Sequence, residues 1–133
     1  MSDTSNKMKW SGYALSGLVT LFLLMDATMK LLQLPIVAET GLALGWPAAT
    51  AFPLGVILLI CTLLYAWPRT AILGAILLTG YLGGAIASHI RIGNPLFSHV
   101  LFGVYLALFV WGGLWLRDAR LRALLPYASG LRK

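Results

Sequence analysis

The residues of this sequence that could do chemistry are six ionisable side chains inside or beside long apolar runs: Asp26, Lys30, Glu39, His89, Arg91 and His99. Charged groups inside or at the rim of a bilayer are costly, so they usually pair with one another and mark a functional site. Histidine adds a group that can move protons near neutral pH. We therefore expect the function to depend on this set.

Asp26, Lys30 and Gln33 are spaced four and three residues apart, so on a helix they form one polar stripe. Two interpretations remain open. Asp26 and Lys30 could form an ion pair within the helix, with the long Lys30 side chain reaching the lipid headgroups. Because a short carboxylate cannot reach that far, Asp26 could instead contact a partner helix through Arg91 or one of the histidines.

His89 and His99 flank a short connection between two apolar runs, so antiparallel neighbouring helices would bring them together. The pair could hydrogen-bond a ligand carbonyl, move protons, bind a metal, or contact only headgroups and water. Two histidines with one distant carboxylate form a loose set, which does not favour metal or haem. Tyr81, two turns before His89 on the same helix face, could line a cavity leading to His89 or serve ordinary helix packing.

Composition places these groups in a membrane protein. Of the 133 residues, 59% are hydrophobic and 11% are charged, whereas soluble domains average about 45–50% apolar and roughly 25% charged residues. We expect a single domain of about four spans. The net charge of +6 comes from Lys and Arg at the ends of apolar runs, which indicates topology rather than nucleic-acid binding. The single cysteine, Cys61, excludes an intrachain disulfide.

Four helices must position the ionisable groups. The apolar runs predict an all-α membrane protein, an antiparallel bundle of four transmembrane helices at residues 10–33, 48–67, 70–89 and 96–116, with a basic tail at 117–133. Pro35 ends the first span, because the residue before a proline resists helix. At about 1.5 Å of rise per residue, Asp26, His89 and His99 fall at a similar depth near one membrane face.

Lysine and arginine residues set the expected orientation. Eight of the ten lie at the N-terminus, between the second and third spans, or in the tail, and only Lys30 and Arg91 lie on the other side. This bias predicts that both termini are cytoplasmic and that the ionisable cluster lies at the outer leaflet.

A strip of small residues marks the third span. Gly80, Gly84 and Ser88 recur every four residues and therefore share one helix face. Such a strip predicts that another helix can approach closely.

The run at residues 74–93, which contains GYLGGAIASHIR, strongly resembles the DoxX-like family of small bacterial membrane proteins, as do residues 26–33, 95–101 and 111–118. The resemblance covers nearly the whole chain after residue 10. It implies a four-helix, multi-pass protein of the bacterial plasma (inner) membrane. It also links the chain to thiosulfate:quinone oxidoreduction and membrane redox complexes. The family has no agreed catalytic residues to assign here.

Three functions remain open. The first is an accessory or quinone-interacting subunit in membrane redox metabolism, with a polar site at the outer leaflet. The second is a non-enzymatic carrier or binding protein for a small molecule or lipid, which with four spans needs a homo-oligomer. The third is a structural partner in the assembly of another membrane protein, held through the small-residue strip.

The sequence assigns no catalytic residue, since it has no phosphate-binding glycine loop, H-E-x-x-H motif or serine-nucleophile elbow. Any catalysis would be electron or proton transfer helped by a bound cofactor or redox partner. Quinone is the candidate cofactor that the resemblance suggests. The residues expected to contact a ligand are His89, Arg91, His99, Asp26, Lys30 and Tyr81.

Overall fold

The computed structural model of the chain describes residues 3–126, and within that range it contains helices and no β-strand. The α-helices are α1 (Asp3–Leu31), α2 (Pro35–Ala43), α3 (Ala51–Ala66), α4 (Ala71–Arg91), α5 (Phe102–Arg117) and α6 (Ala119–Leu124). The predicted all-α class is confirmed.

Three of the described segments are long and apolar enough to cross a membrane: Asn6–Leu31, Pro68–Arg91 and Leu96–Arg117. They correspond to the first, third and fourth predicted spans. The predicted second span contains α3, which is apolar but has only 16 residues. The side of the membrane on which the termini lie stays a prediction, and two of the basic residues behind it, Arg132 and Lys133, lie outside the described residues.

Several helix boundaries differ from those predicted from hydropathy. The first helix begins at Asp3 rather than at residue 10, because no helix-breaking residue separates the polar N-terminal stretch from the apolar run. A π turn at Leu96–Val100 leads into α5, which begins at Phe102 rather than at residue 96. Helix α6 agrees with the interfacial helix that the apolar and basic residues of the tail predict before Pro126. Hydropathy marks where a helix enters lipid, whereas hydrogen bonding and breakers decide where it ends.

The connection between α1 and α3 contains the additional helix α2. Pro35 stands in its first turn, where the fixed φ of proline suits a helix and its missing N–H is not needed. Gly45, with φ of +87°, lies just beyond its carboxyl end and allows the chain to reverse. No residue of α2 is buried, so it lies on the surface of the protein.

The four longer helices pack as a ring. α1 contacts α3 and α5, and α4 contacts the same two helices from the other side. The core between them consists largely of aliphatic side chains and includes Val19, Leu23, Leu58, Leu78, Val110 and Leu114. Large apolar side chains such as Leu18, Leu21 and Leu108 are exposed, as expected for helices whose outer faces contact lipid.

Glycines divide into two groups in this ring. A Cβ at Gly74 would overlap the backbone of Tyr65, and one at Gly113 would overlap Ser16, so these glycines permit close helix contacts. A Cβ at Gly80 or Gly84 would meet nothing within 4 Å. At these two glycines the small-residue strip therefore makes no close helix contact with the described residues, contrary to the packing that its spacing predicts.

Candidate functional site

A cavity of about 570 Å³ lies at one end of the helix ring, where α1 and α4 end and α3 and α5 begin. We call this the cavity end. Its wall is mainly apolar and is formed by parts of α1 to α5, with Gly80 and Gly84 of the small-residue strip on the α4 side. The strip thus leaves space beside α4.

Asp26 and Lys30 line the cavity from α1 and form the ion pair that their spacing predicts. Lys30 Nζ donates to Asp26 Oδ1 at 2.5 Å, and both side chains are partly shielded from solvent. Asp26 has no ion pair with Arg91 or with either histidine within the described residues. The pair keeps two charges at the cavity while leaving Asp26 Oδ2 and two ammonium hydrogens available for other partners.

His89 and His99 both line the cavity, and their rings meet edge to face with 5.7 Å between centroids. His89 is half-buried near the end of α4, whereas His99 is exposed in the π turn before α5. Asn94 Nδ2 lies 2.6 Å from His89 Nδ1, and Ser98 Oγ lies 2.8 Å from His99 Nδ1. The short connection between the helices therefore brings the two imidazoles together and supplies a polar partner to each.

Arg91 does not line the cavity, although the sequence analysis grouped it with the ligand contacts. Its guanidinium donates to the Leu44 carbonyl and lies over the Trp46 ring, 5.9 Å from the centroid. Trp46 in turn donates from Nε1 to Ser88 Oγ at 3.3 Å and lines the cavity. Arg91 thus holds the segment that follows α2 against α4, through a cation–π contact and a hydrogen bond.

Tyr81 lines the cavity from α4 and also packs against the core, so the structure fits both of its interpretations. Glu39, the remaining member of the ionisable set, is exposed on α2 and does not line the cavity. Of the six residues expected to contact a ligand, five surround one cavity, and Arg91 supports its wall.

Sequence reasoning missed three residues of this end: Trp46, Asn94 and Ser98. Trp46 resembles an ordinary interfacial aromatic residue, and its hydrogen bond to Ser88 joins residues 42 positions apart. Asn94 and Ser98 carried a usable signal, because polar side chains close to a histidine in a short turn can reach its ring nitrogens.

A second polar cluster, which the sequence did not reveal, lies at the opposite end of the ring, here called the closed end. The hydroxyl of Tyr65 is 2.8 Å from Ser16 Oγ and donates to the Val110 carbonyl at 2.7 Å. Arg117 donates from Nε to Ser16 Oγ at 3.2 Å and lies over the Tyr13 ring. Tyr65 is fully buried, so this cluster joins α1, α3 and α5 inside the protein.

The cavity end is suited to hydrogen bonding and proton movement. It combines an ammonium group, a carboxylate and two imidazoles with an apolar wall. No group of three or more His, Cys, Asp or Glu side chains gathers as a metal site among the described residues. The arrangement can orient a molecule with a polar head and an apolar body.

Comparison with known proteins identifies the family. Residues 14–113 match the model of the DoxX-like family. No curated protein and no solved structure matches the chain. Since the match covers most of the 133 residues, including Asp26, Tyr81 and both histidines, the chain belongs to the DoxX-like family.

Proposed function

We propose that this protein binds a quinone or a similar lipophilic molecule in the cavity and acts as an accessory subunit in membrane redox metabolism. The observation that carries the proposal is the cavity itself, about 570 Å³ with an apolar wall and ionisable groups at its rim. Sites for small molecules typically measure roughly 300–1,000 Å³ and combine apolar walls with a few polar groups.

The residues around the cavity have distinct roles in this proposal. His89 and His99 hydrogen-bond the head group or exchange protons with it. The Asp26–Lys30 pair sets the local charge, and Tyr81 contributes aromatic surface and a hydroxyl. The open space beside Gly80 and Gly84 accommodates the apolar body of the ligand.

The proposed setting is a single four-helix transmembrane domain in the bacterial plasma membrane with both termini in the cytoplasm. Here α3 is the fourth span, extended by the helical turns Ala48–Thr50 and Pro68–Thr70. In a Cys61→Ala background, a cysteine at Glu39 should react with an impermeant maleimide added outside the cell, and one at Arg69 should not. Equal labelling of both would contradict a crossing by α3.

A binding titration with decylubiquinone in lipid nanodiscs tests the ligand. Gly84→Leu places a side chain in the cavity and should lower affinity at least tenfold, whereas Gly112→Leu, also in open space but away from the cavity, should not. His89→Ala should weaken binding without unfolding the protein. Saturable binding that none of the cavity variants alters would overturn the assignment of the site, and absence of binding to the wild-type protein would overturn quinone as ligand.

The same preparation separates the two alternatives. Native mass spectrometry that detects a co-purifying lipid or solute without redox activity would favour a carrier or binding protein. The assembly role has weaker support, because Gly80 and Gly84 border the cavity. The assembly role would be favoured by two results together: Gly84→Leu dissociates a complex with a partner protein, and no ligand is found in the cavity.

A further inference from the structure

The contact between His89 and Asn94 determines which nitrogen of the imidazole carries a hydrogen. With the amide placed as in the structure, Asn94 Nδ2 lies 2.6 Å from His89 Nδ1. An amide NH₂ group only donates, so Nδ1 must accept. A neutral imidazole has one hydrogen, and it must then be on Nε2.

The turn after α4 holds Asn94 in place. Its backbone N–H donates to the His89 carbonyl at 3.1 Å, so both the main chain and the side chain of Asn94 bond to the same histidine. Gly93, with φ of +73°, gives the turn the left-handed residue that this reversal requires. Asn94 is half-buried, which limits competition from water for the bond.

His89 lines the cavity and Asn94 does not. With Nδ1 bonded to Asn94, Nε2 is the ring nitrogen left for an occupant of the cavity, and no hydrogen bond joins it to any described residue. His99 differs, because its Nδ1 partner is the Ser98 hydroxyl, which can donate or accept and fixes neither tautomer.

We propose that His89 acts as a hydrogen-bond donor fixed by the positioning residue Asn94, so that its place in the cavity favours a carbonyl oxygen, a strong acceptor, over a hydroxyl oxygen, which accepts more weakly. This inference rests on the proposed function and specifies its ligand class. Lys30 also favours an acceptor oxygen on the ligand, because two of its three ammonium hydrogens can still donate after the bond to Asp26. The oxidised, carbonyl form of a quinone is the preferred ligand over the reduced, hydroxyl form.

The test compares decylubiquinone with its reduced quinol under argon in nanodiscs. The wild-type protein should bind the quinone roughly tenfold more tightly, the ratio that one well-placed hydrogen bond supplies. Because Nε2 carries a hydrogen in both the neutral and the cationic imidazole, this ratio should not change between pH 5 and pH 8.5.

Asn94→Asp replaces the donating NH₂ group with an accepting oxygen and keeps nearly the same side-chain shape. A carboxylate only accepts, so a neutral His89 must place its hydrogen on Nδ1 and offer a bare Nε2 to the ligand. At pH 8.5 the preference for quinone should disappear or invert, and it should return at a pH low enough to protonate the imidazole, because Nε2 of the cation donates again. Asn94→Leu should weaken binding of both forms without inverting the ratio.

The other titratable or charged groups near His89 are His99 from the π turn, Asp26 and Lys30 from α1, and Arg91 from α4. His99 is the second imidazole that lines the cavity, so the series is repeated with His99→Gln. Ser98→Ala is the matched control, because it removes the corresponding contact at His99. It should leave the ratio of quinone to quinol affinity unchanged.

Nitrogen-15 NMR of the ligand-free protein supplies a readout that does not depend on binding. The wild-type His89 should show a protonated Nε2 and an unprotonated Nδ1 at pH 8.5, and Asn94→Asp the reverse. A protonated Nδ1 in the wild type would overturn the inference, as would a quinone-to-quinol ratio that Asn94→Asp leaves unchanged. If the expected tautomer is observed but neither quinone nor quinol binds, the proposed function is wrong, and so is the proposed selection between the two forms.

Discussion

The two ends of the helix ring use the same residue types for opposite purposes. At the closed end, Gly113 permits close contact between α1 and α5, and the hydroxyl of Tyr65 is consumed by hydrogen bonds within the protein. At the cavity end, Gly84 adjoins empty space and Tyr81 lines it. The same four helices form both ends of the ring. Close packing at the closed end therefore fixes the helices, and the cavity end can stay open.

The largest expected difference between the ends comes from adding one methyl group. Gly74→Ala would push against the backbone of α3 at Tyr65, so we expect a loss of about 3 kcal/mol in the free energy of unfolding. Gly84→Ala meets open space, so it should leave stability unchanged or raise it by up to about 1 kcal/mol, the usual advantage of Ala over Gly inside a helix. Denaturant titration in mixed micelles measures both. Equal losses would contradict the assignment of one closed and one open end.

Removing a hydroxyl sharpens the comparison further. Tyr65→Phe deletes the donor to the Val110 carbonyl and the partner of Ser16 in a fully buried place, at an expected cost of about 2 kcal/mol. The matched change Tyr81→Phe should leave stability nearly unchanged and weaken ligand binding instead. The same titration, combined with decylubiquinone binding, separates the two effects. A destabilised Tyr81→Phe protein would show that the fold, rather than a ligand, uses the Tyr81 hydroxyl.

Arg91→Ala tests the support of the cavity wall. The arginine is exposed, and its cation–π contact with Trp46 is worth about 0.5–1 kcal/mol, so global stability should change little. Local opening should increase, and amide hydrogens at residues 35–46 should exchange roughly threefold faster by mass spectrometry. Arg69→Ala, which removes an exposed arginine at the closed end, should leave that exchange unchanged. An identical rate in both variants would remove Arg91 from the support of this wall.

The smallest effect is expected at Asp118, outside the spanning segments. Its side chain accepts hydrogen bonds from the side chain and backbone of Arg120, which lower the pKa of the carboxyl below its ordinary value. A lowered pKa in the folded state means that the contribution is complete above the ordinary Asp pKa and is lost as pH falls through the lowered value. Asp118→Asn should remove this pH dependence and reduce stability by less than about 1 kcal/mol. Acid titration followed by circular dichroism would contradict it if both proteins lost helix identically.

Sequence reasoning succeeded where interactions are local. The Asp26–Lys30 pair follows from helical spacing, and the proximity of His89 to His99 follows from a short turn between antiparallel helices. These inferences need only the geometry of one helix or one connection. The membrane class followed in the same way, from the continuous apolar runs.

The remaining features depend on partners far apart in the sequence. Ser16 and Tyr65 are 49 positions apart, and nothing in either helix alone indicates that they meet. The spacing of Gly80 and Gly84 is equally compatible with close packing and with an open cavity wall, since a missing side chain serves both. Helix α2 lies in a stretch that contains Gly41, Gly45 and Pro47, where hydropathy leaves a loop and a partly helical segment equally open.

The unequal lengths of the helices carry a consequence for the surrounding bilayer. The 29 residues of α1 rise about 43 Å and the 16 of α3 only about 24 Å, against a hydrocarbon thickness of roughly 30 Å. As the proposed fourth span, α3 crosses the hydrocarbon layer only together with the flanking turns Ala48–Thr50 and Pro68–Thr70, so a thicker bilayer would leave it little apolar length to spare. Hydrophobic mismatch would then act on the segment between α2 and α3, which Arg91 holds against α4. A thicker membrane would therefore deform the cavity wall.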